Sequence, residues 1–135
     1  MTCYLYGMSG HTRILVVDDD KATLTMIATF LTRHGYEVSA ASNPVQALDE
    51  LKARPAQLVI TDWMMPQVDG IGFTEQVHAL PGLADVPVIL ITAFGTAEIA
   101  DQGMRRGVAL TLSKPLELNR LLALVSFATA PPPPP

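Results

Sequence analysis

Five polar residues stand at or directly after the ends of short apolar runs, and their side chains are of types that handle phosphate. They are Asp18, Asp19, Asp62, Thr92 and Lys114. Clustered carboxylates raise one another's pKa unless a cation lies among them. Mg²⁺ prefers one or two carboxylates together with water and phosphate oxygens. A lysine and a hydroxyl nearby could bind phosphoryl oxygens, so the set predicts a phosphoryl-transfer site in which a carboxylate is the nucleophile.

The apolar runs themselves predict five β-strands. Most are apolar almost without interruption, which is typical of parallel strands covered on both faces. The second and fifth runs contain polar residues and are predicted to be edge strands. The five predicted strands are residues 14–17, 36–40, 58–61, 86–91 and 108–112.

Segments with helical periodicity lie between and after these runs. Leu24, Ile27 and Leu31 share one face of the first segment, and Asn43 followed by Pro44 is a good start for the second. The fourth segment, 96–106, has a thin apolar face, whereas the last, 116–127, is strongly apolar. This alternation predicts an α/β fold with a doubly wound, five-stranded parallel sheet. Functional residues of such sheets lie at the carboxyl ends of the strands, where these polar residues stand.

Composition limits the other function classes. The 135 residues suit one domain, which we expect over 12–128, with a flexible tail over 1–11 and a Pro-rich tail or linker start over 129–135. The net charge of -4 argues against nucleic-acid binding through this segment. Cys3 is the only cysteine, which fits the cytoplasm. No apolar run approaches the roughly 20 residues of a membrane span.

Simpler interpretations exist for each residue taken alone. Asp20 is expected to cap the first helix, and Thr92 or Lys114 could be an ordinary strand or surface residue. A small phosphatase of the haloacid dehalogenase type is an alternative, because Asp18-x-Asp20 fits the first part of its nucleophile motif. However, that motif needs Thr or Val at position 22, where this chain has Ala. It is unlikely that the simpler interpretations hold at all four strand ends together, so the phosphate site is favoured.

The same residues lie in stretches that resemble the receiver domains of bacterial response regulators in two-component phosphorelays. An acidic triplet follows the first run, and Lys114 precedes Pro115. Between them stands Asp-x-x-Met-Pro-x-x-Asp-Gly at 62–70, a highly specific combination. The matching stretches are residues 13–20, 58–70, 86–93 and 113–116.

The resemblance implies a flavodoxin-like (βα)5 fold with strand order 2-1-3-4-5, and a role for each site residue. Asp62 would accept a phosphoryl group from a sensor histidine kinase or phosphotransfer protein. Asp18, Asp19, Asp62 and the Met64 backbone carbonyl would bind Mg²⁺. Thr92 and Lys114 would contact the phosphoryl group, and the bond to Pro115 would be cis. Gly70 would allow a tight turn.

The resemblance further implies a signalling domain rather than an enzyme, one that catalyses only its own phosphorylation and dephosphorylation. Its switch would control an output domain or partner. A homodimer through the fourth and fifth helices is an open alternative. So is a pseudo-receiver that only contacts other proteins, although the intact set of site residues argues against it.

Two departures from the family pattern concern switching and phosphoryl lifetime. Many receivers carry Tyr or Phe where this chain has Thr111, so the usual aromatic readout is missing. The positions two after the acceptor and two after the switch threonine are Met64 and Phe94. Neither side chain can orient an attacking water, and a slowly hydrolysing aspartyl phosphate is predicted.

Overall fold

The structure is a computed structural model that describes residues 12–93 and 95–130. Five parallel strands form one sheet in the order β2-β1-β3-β4-β5, which confirms the predicted fold class and strand order. Predictions about residues 1–11, Phe94 and 131–135 lie outside the described residues. The strands are β1 (Arg13–Val17), β2 (Glu37–Ala41), β3 (Leu58–Asp62), β4 (Val88–Thr92) and β5 (Leu110–Ser113).

The three central strands are buried along their whole length, and the two edge strands are only partly so. The predicted edges are therefore confirmed. The predicted starts of β4 and β5 were each two residues too early. Val86 donates its amide hydrogen to Leu83 O (3.3 Å) in the preceding turn, and Val108 donates to Gly103 O (2.7 Å). Both apolar residues are buried, but their amides close loops and do not join the sheet.

Five helices follow the strands in turn. Side chains of Asp20, Asn43, Asp69 and Thr96 cap the first four by accepting a main-chain amide hydrogen, and these caps satisfy donors that the first helical turn leaves free. The fifth begins two residues later than its apolar run predicted. The helices are α1 (Lys21–Arg33), α2 (Pro44–Ala53), α3 (Gly70–His78), α4 (Ala97–Arg105) and α5 (Leu118–Ala128).

The apolar faces of the helices build a core on each side of the sheet. Ile27 and Leu31 of α1 pack with Leu121 and Val125 of α5 on one side. Phe73 and other residues of α2 and α3 form the core of the other side. Both layers hold the strand ends in place. No helix among the described residues is long and apolar enough to cross a membrane.

Gly70 is needed for a reason that differs from the predicted one. Its φ is not among the positive values, so no left-handed turn requires it. A Cβ built there would instead lie 2.5 Å from Asp62 O and 2.5 Å from the Leu90 Cδ1 atom. The start of α3 is thus packed directly against the main chain of the residue that ends β3.

Gly70→Ala is therefore expected to destabilise the fold by about 1–3 kcal/mol, the usual cost of overpacking. Urea unfolding would measure the change in the free energy of unfolding. Gly72→Ala is the matched control in the same helix, because its Cβ would meet side-chain atoms, Val68 Cγ2 at 2.7 Å and Asp69 Oδ1 at 3.5 Å, and no main chain. Equal stability of the two variants would contradict the prediction.

Candidate functional site

The residues singled out in the sequence gather at the carboxyl edge of the sheet. Asp18 and Asp19 follow β1, Asp62 ends β3 and Thr92 ends β4, while Lys114 follows β5. The strand order reverses between β1 and β3, which is where sheets of this kind bind ligands. Each of the three aspartates offers one carboxylate oxygen, and these oxygens all lie within 4.8 Å of one another.

Main-chain amides fix the two buried carboxylates. Asp18 is 2% exposed and accepts a hydrogen bond from the Asp20 amide (2.9 Å). Asp62 is 8% exposed, and its Oδ1 accepts one from the Trp63 amide (3.0 Å). Asp19 is exposed at the mouth of the site. The site thus has two fixed carboxylates and a third that solvent reaches.

Asp20 has a separate task, as predicted from the sequence. Its carboxylate caps α1 by accepting from the Ala22 amide (3.3 Å) and the Thr23 hydroxyl (2.6 Å). These hydrogen bonds, above all the one from Thr23, lower the pKa of Asp20. The acidic triplet is therefore divided between a site pair and a helix cap.

Lys114 supplies a positive charge to this cluster. Its Nζ atom lies 3.3 Å from Asp62 Oδ1 and 3.8 Å from Asp18 Oδ2. Its amide donates to Thr92 O (2.8 Å), which joins the ends of β4 and β5. The Lys114–Pro115 peptide bond is cis, as the resemblance implied. Thr92 is buried beside this junction, with 1% of its surface exposed.

The electrostatics of the cluster favour a cation. Burial raises the pKa of Asp18 from 3.8 to about 6, against the opposing hydrogen bond from the Asp20 amide. Burial also raises the pKa of Asp62, although the charge of Lys114 opposes the shift. Three carboxylates share one ammonium group at this site, so negative charge is left uncompensated. Clustered oxygen ligands with this charge balance fit a hard divalent ion.

Three further residues, Met64, Thr111 and His78, differ in burial. The Met64 side chain is 57% exposed, and its carbonyl as a metal ligand stays a prediction. Thr111 has a buried hydroxyl with no hydrogen-bond partner among the described residues. His78, at the end of α3, is half-buried, and its Nε2 lies 2.8 Å from Val86 O.

Two close contacts were missed by the sequence reasoning. The Trp63 amide donates to Asp62 Oδ1, which ties the loop after β3 to the end of that strand, and a Cβ at Gly95 would lie 1.9 Å from Ser113 Oγ. The second contact places the loop after β4 directly against the residue before Lys114. A glycine in the loop after a strand is a weak sequence signal, because glycine has many other uses in loops.

A 2-1-3-4-5 sheet with a carboxylate cluster at its switch point defines a flavodoxin-like α/β domain with an acidic ligand site. The family model of the response regulator receiver domain matches residues 14–126. This chain belongs to that family and is a signalling domain.

Curated relatives and solved structures agree with the assignment. The transcriptional regulatory protein ZraR of Escherichia coli is 34% identical over 117 residues, covering 87% of this chain and 26% of ZraR. Response regulator Rre1 of Synechocystis is 35% identical, covering 87% of this chain and 52% of Rre1. A CheY-like receiver domain protein of Methanospirillum hungatei superposes with a TM-score of 0.82 at 26% identity, covering 89% of this chain and 94% of that one. The chain spans only part of the length of these two curated relatives.

Proposed function

We propose that this receiver domain takes a phosphoryl group onto Asp62, beside a Mg²⁺ ion held by Asp18, Asp19, Asp62 and the Met64 carbonyl. One observation carries the proposal. Oxygens of the three carboxylates converge within 4.8 Å, and the Lys114 ammonium lies 3.3 Å from the proposed acceptor. A bound Mg²⁺ would supply charge neutralisation for the phosphoryl oxygens and the carboxylates.

The protein's own groups position the acceptor. The Trp63 amide and Lys114 both act on Oδ1 of Asp62, which holds the carboxylate in one orientation. A carboxylate oxygen attacks phosphorus in line, an oxygen–phosphorus bond forms, and the donor atom leaves with the electron pair of the broken bond. Lys114 and the Thr92 hydroxyl then bind the new phosphoryl oxygens. On this proposal the domain catalyses only the phosphorylation and the dephosphorylation of its own Asp62.

The partners proposed follow from the family. The donor is a sensor histidine kinase or a phosphotransfer protein in the cytoplasm, and the switched domain controls an output domain or a separate partner. ZraR is named a transcriptional regulatory protein, and this chain matches 26% of its length. An attached output domain is therefore one of the two proposed outputs, and a homodimer through α4 and α5 stays an alternative.

The phosphatase alternative has lost its support. Its motif needs both Asp18 and Asp20 at the reacting centre, but the Asp20 carboxylate caps α1 through Ala22 and Thr23. The pseudo-receiver alternative would leave the buried, charged cluster without a use. Both alternatives make distinct predictions in a simple donor experiment.

The test is incubation with acetyl phosphate, with and without Mg²⁺, followed by intact mass and by release of inorganic phosphate. We expect at most one phosphoryl group per chain, and only with Mg²⁺. Continuous phosphate release that does not pass through a protein adduct would restore the phosphatase. Absence of an adduct together with absence of Mg²⁺ binding would favour the pseudo-receiver.

The aspartyl phosphate is predicted to hydrolyse slowly, because the exposed Met64 thioether is too weak an acceptor to orient an attacking water. Met64→Gln introduces a group that can orient water and should shorten the lifetime. The decay of the adduct after donor removal, followed by intact mass, measures the phosphoryl lifetime of the wild type and of Met64→Gln. Rapid loss from the wild type, at the rate of Met64→Gln, would contradict the prediction.

A further inference from the structure

A third, small hydrophobic cluster lies apart from the two main cores. Ile71 of α3, Leu90 of β4 and Val108, just before β5, are buried in it at 1%, 0% and 3% exposure, with Trp63 and Ile99 packed against them. We call these five residues the third cluster. It brings together the loop after the proposed acceptor, the start of α3, a central strand, and α4.

Trp63 ties the third cluster to the acceptor carboxylate. Its amide donates to Asp62 Oδ1 (3.0 Å) and to Ile91 O (2.9 Å), while its carbonyl accepts from the Gly70 amide (2.7 Å). A phosphoryl group on Asp62 changes the charge and position of the oxygens that this amide faces. The main chain of Trp63 must adjust, and its indole belongs to the third cluster.

The other end of the third cluster is α4, the described helix with the fewest buried residues. Among the described residues of α4, only Gly103 is buried, where a Cβ would meet Val108 Cβ at 3.2 Å. The pair between Arg106, just after α4, and Glu75 is exposed on both sides, and such pairs contribute little. The position of α4 therefore depends largely on two contacts, that of Gly103 with Val108 and that of Ile99 with the other members of the third cluster. Elements with few buried contacts are those that open or shift most easily.

We propose that the third cluster couples Asp62 to α4, so that phosphorylation repacks it through Trp63 and shifts α4 through Ile99. The inference rests on the proposed function. It gives the conformational switch a physical route in this chain, which has Thr111 where many receivers carry an aromatic side chain for that purpose. The side chains of Trp63 and Ile99 act as positioning groups, because they act on the acceptor only through the packing of the third cluster. A packed cluster of this kind has discrete arrangements whose populations the acceptor can bias.

Amide hydrogen exchange of α4, with and without acetyl phosphate and Mg²⁺, tests the coupling. Intact mass on the same samples reports the adduct separately. The variants are Ile99→Ala, which removes the contact of α4 with the third cluster, and Ile99→Val, which largely keeps it. Leu48→Ala is the matched control, since Leu48 is a half-buried leucine of α2 packed against a main core.

We expect phosphorylation to change exchange in α4 of the wild type, of Ile99→Val and of Leu48→Ala. In Ile99→Ala the adduct should form as before and the response of α4 should be lost. A full α4 response in Ile99→Ala, or none in a phosphorylated wild type, overturns the coupling and leaves the proposed function intact. Failure of the wild type to form any adduct overturns the proposed function itself, and the coupling with it.

Discussion

Lys114→Met is expected to slow phosphorylation by acetyl phosphate about 10²–10³-fold, the typical effect of removing one preorganised group that stabilises developing charge. Lys114 Nζ is 3.3 Å from Asp62 Oδ1 and its side chain is only 28% exposed, so water replaces the ammonium poorly. Methionine keeps the length and the apolar stem. The rate of adduct formation at fixed Mg²⁺ and donor concentrations is the measurement.

The control for Lys114→Met is Lys52→Met, which removes the same charge from the exposed end of α2. It should phosphorylate like the wild type, because exposed charges at a distance are screened by salt. A Lys114→Met variant as fast as the control would show that the lysine plays no part in the transfer.

Asp18→Asn is expected to stabilise the Mg²⁺-free protein at neutral pH by up to about 3 kcal/mol. The folded pKa of Asp18 is raised from 3.8 to about 6, because burial disfavours the charged form. The folded state therefore holds the proton more tightly than the unfolded state. The contribution of Asp18 to the stability of the wild type falls as pH rises from 3.8 to about 6, and asparagine, which does not titrate, avoids that loss.

Urea unfolding in EDTA over this pH range measures the effect of Asp18→Asn. The two proteins should converge near pH 4 and differ most near neutrality, while Mg²⁺ should stabilise the wild type more than the variant. Asp49→Asn on the exposed face of α2 is the control and should show neither effect. A destabilised Asp18→Asn in EDTA at neutral pH would contradict the electrostatic account.

The layout of the fold could be predicted because its signals are local and repeated. Continuous apolar runs marked the buried strands. Polar interruptions marked β2 and β5, because an edge strand has a neighbouring strand on one side only and is partly exposed to solvent. The errors fell at element ends. Val86 and Val108 are as apolar as strand residues, but their amides close turns onto Leu83 and Gly103. Apolar patterning reports burial and does not report hydrogen-bond partners.

The convergence of the three aspartates and Lys114 also followed from the sequence, because parallel strands bring their carboxyl ends to one edge. Contacts between distant elements could not be read in that way. The approach of Gly70 to Asp62 O depends on how α3 lies on the sheet. The packing of Trp63 and Ile99 against Ile71, Leu90 and Val108 depends on how α3 and α4 lie there. That geometry is set by the whole fold.

The identity of the acceptor is tested most directly by intact mass after incubation with Mg²⁺ and acetyl phosphate. The proteins compared are the wild type, Asp62→Asn and the surface variant Asp49→Asn. The account predicts one phosphoryl group on the wild type and on Asp49→Asn, and none on Asp62→Asn. An adduct of equal yield on Asp62→Asn would contradict the assignment of Asp62 as the phosphoryl acceptor.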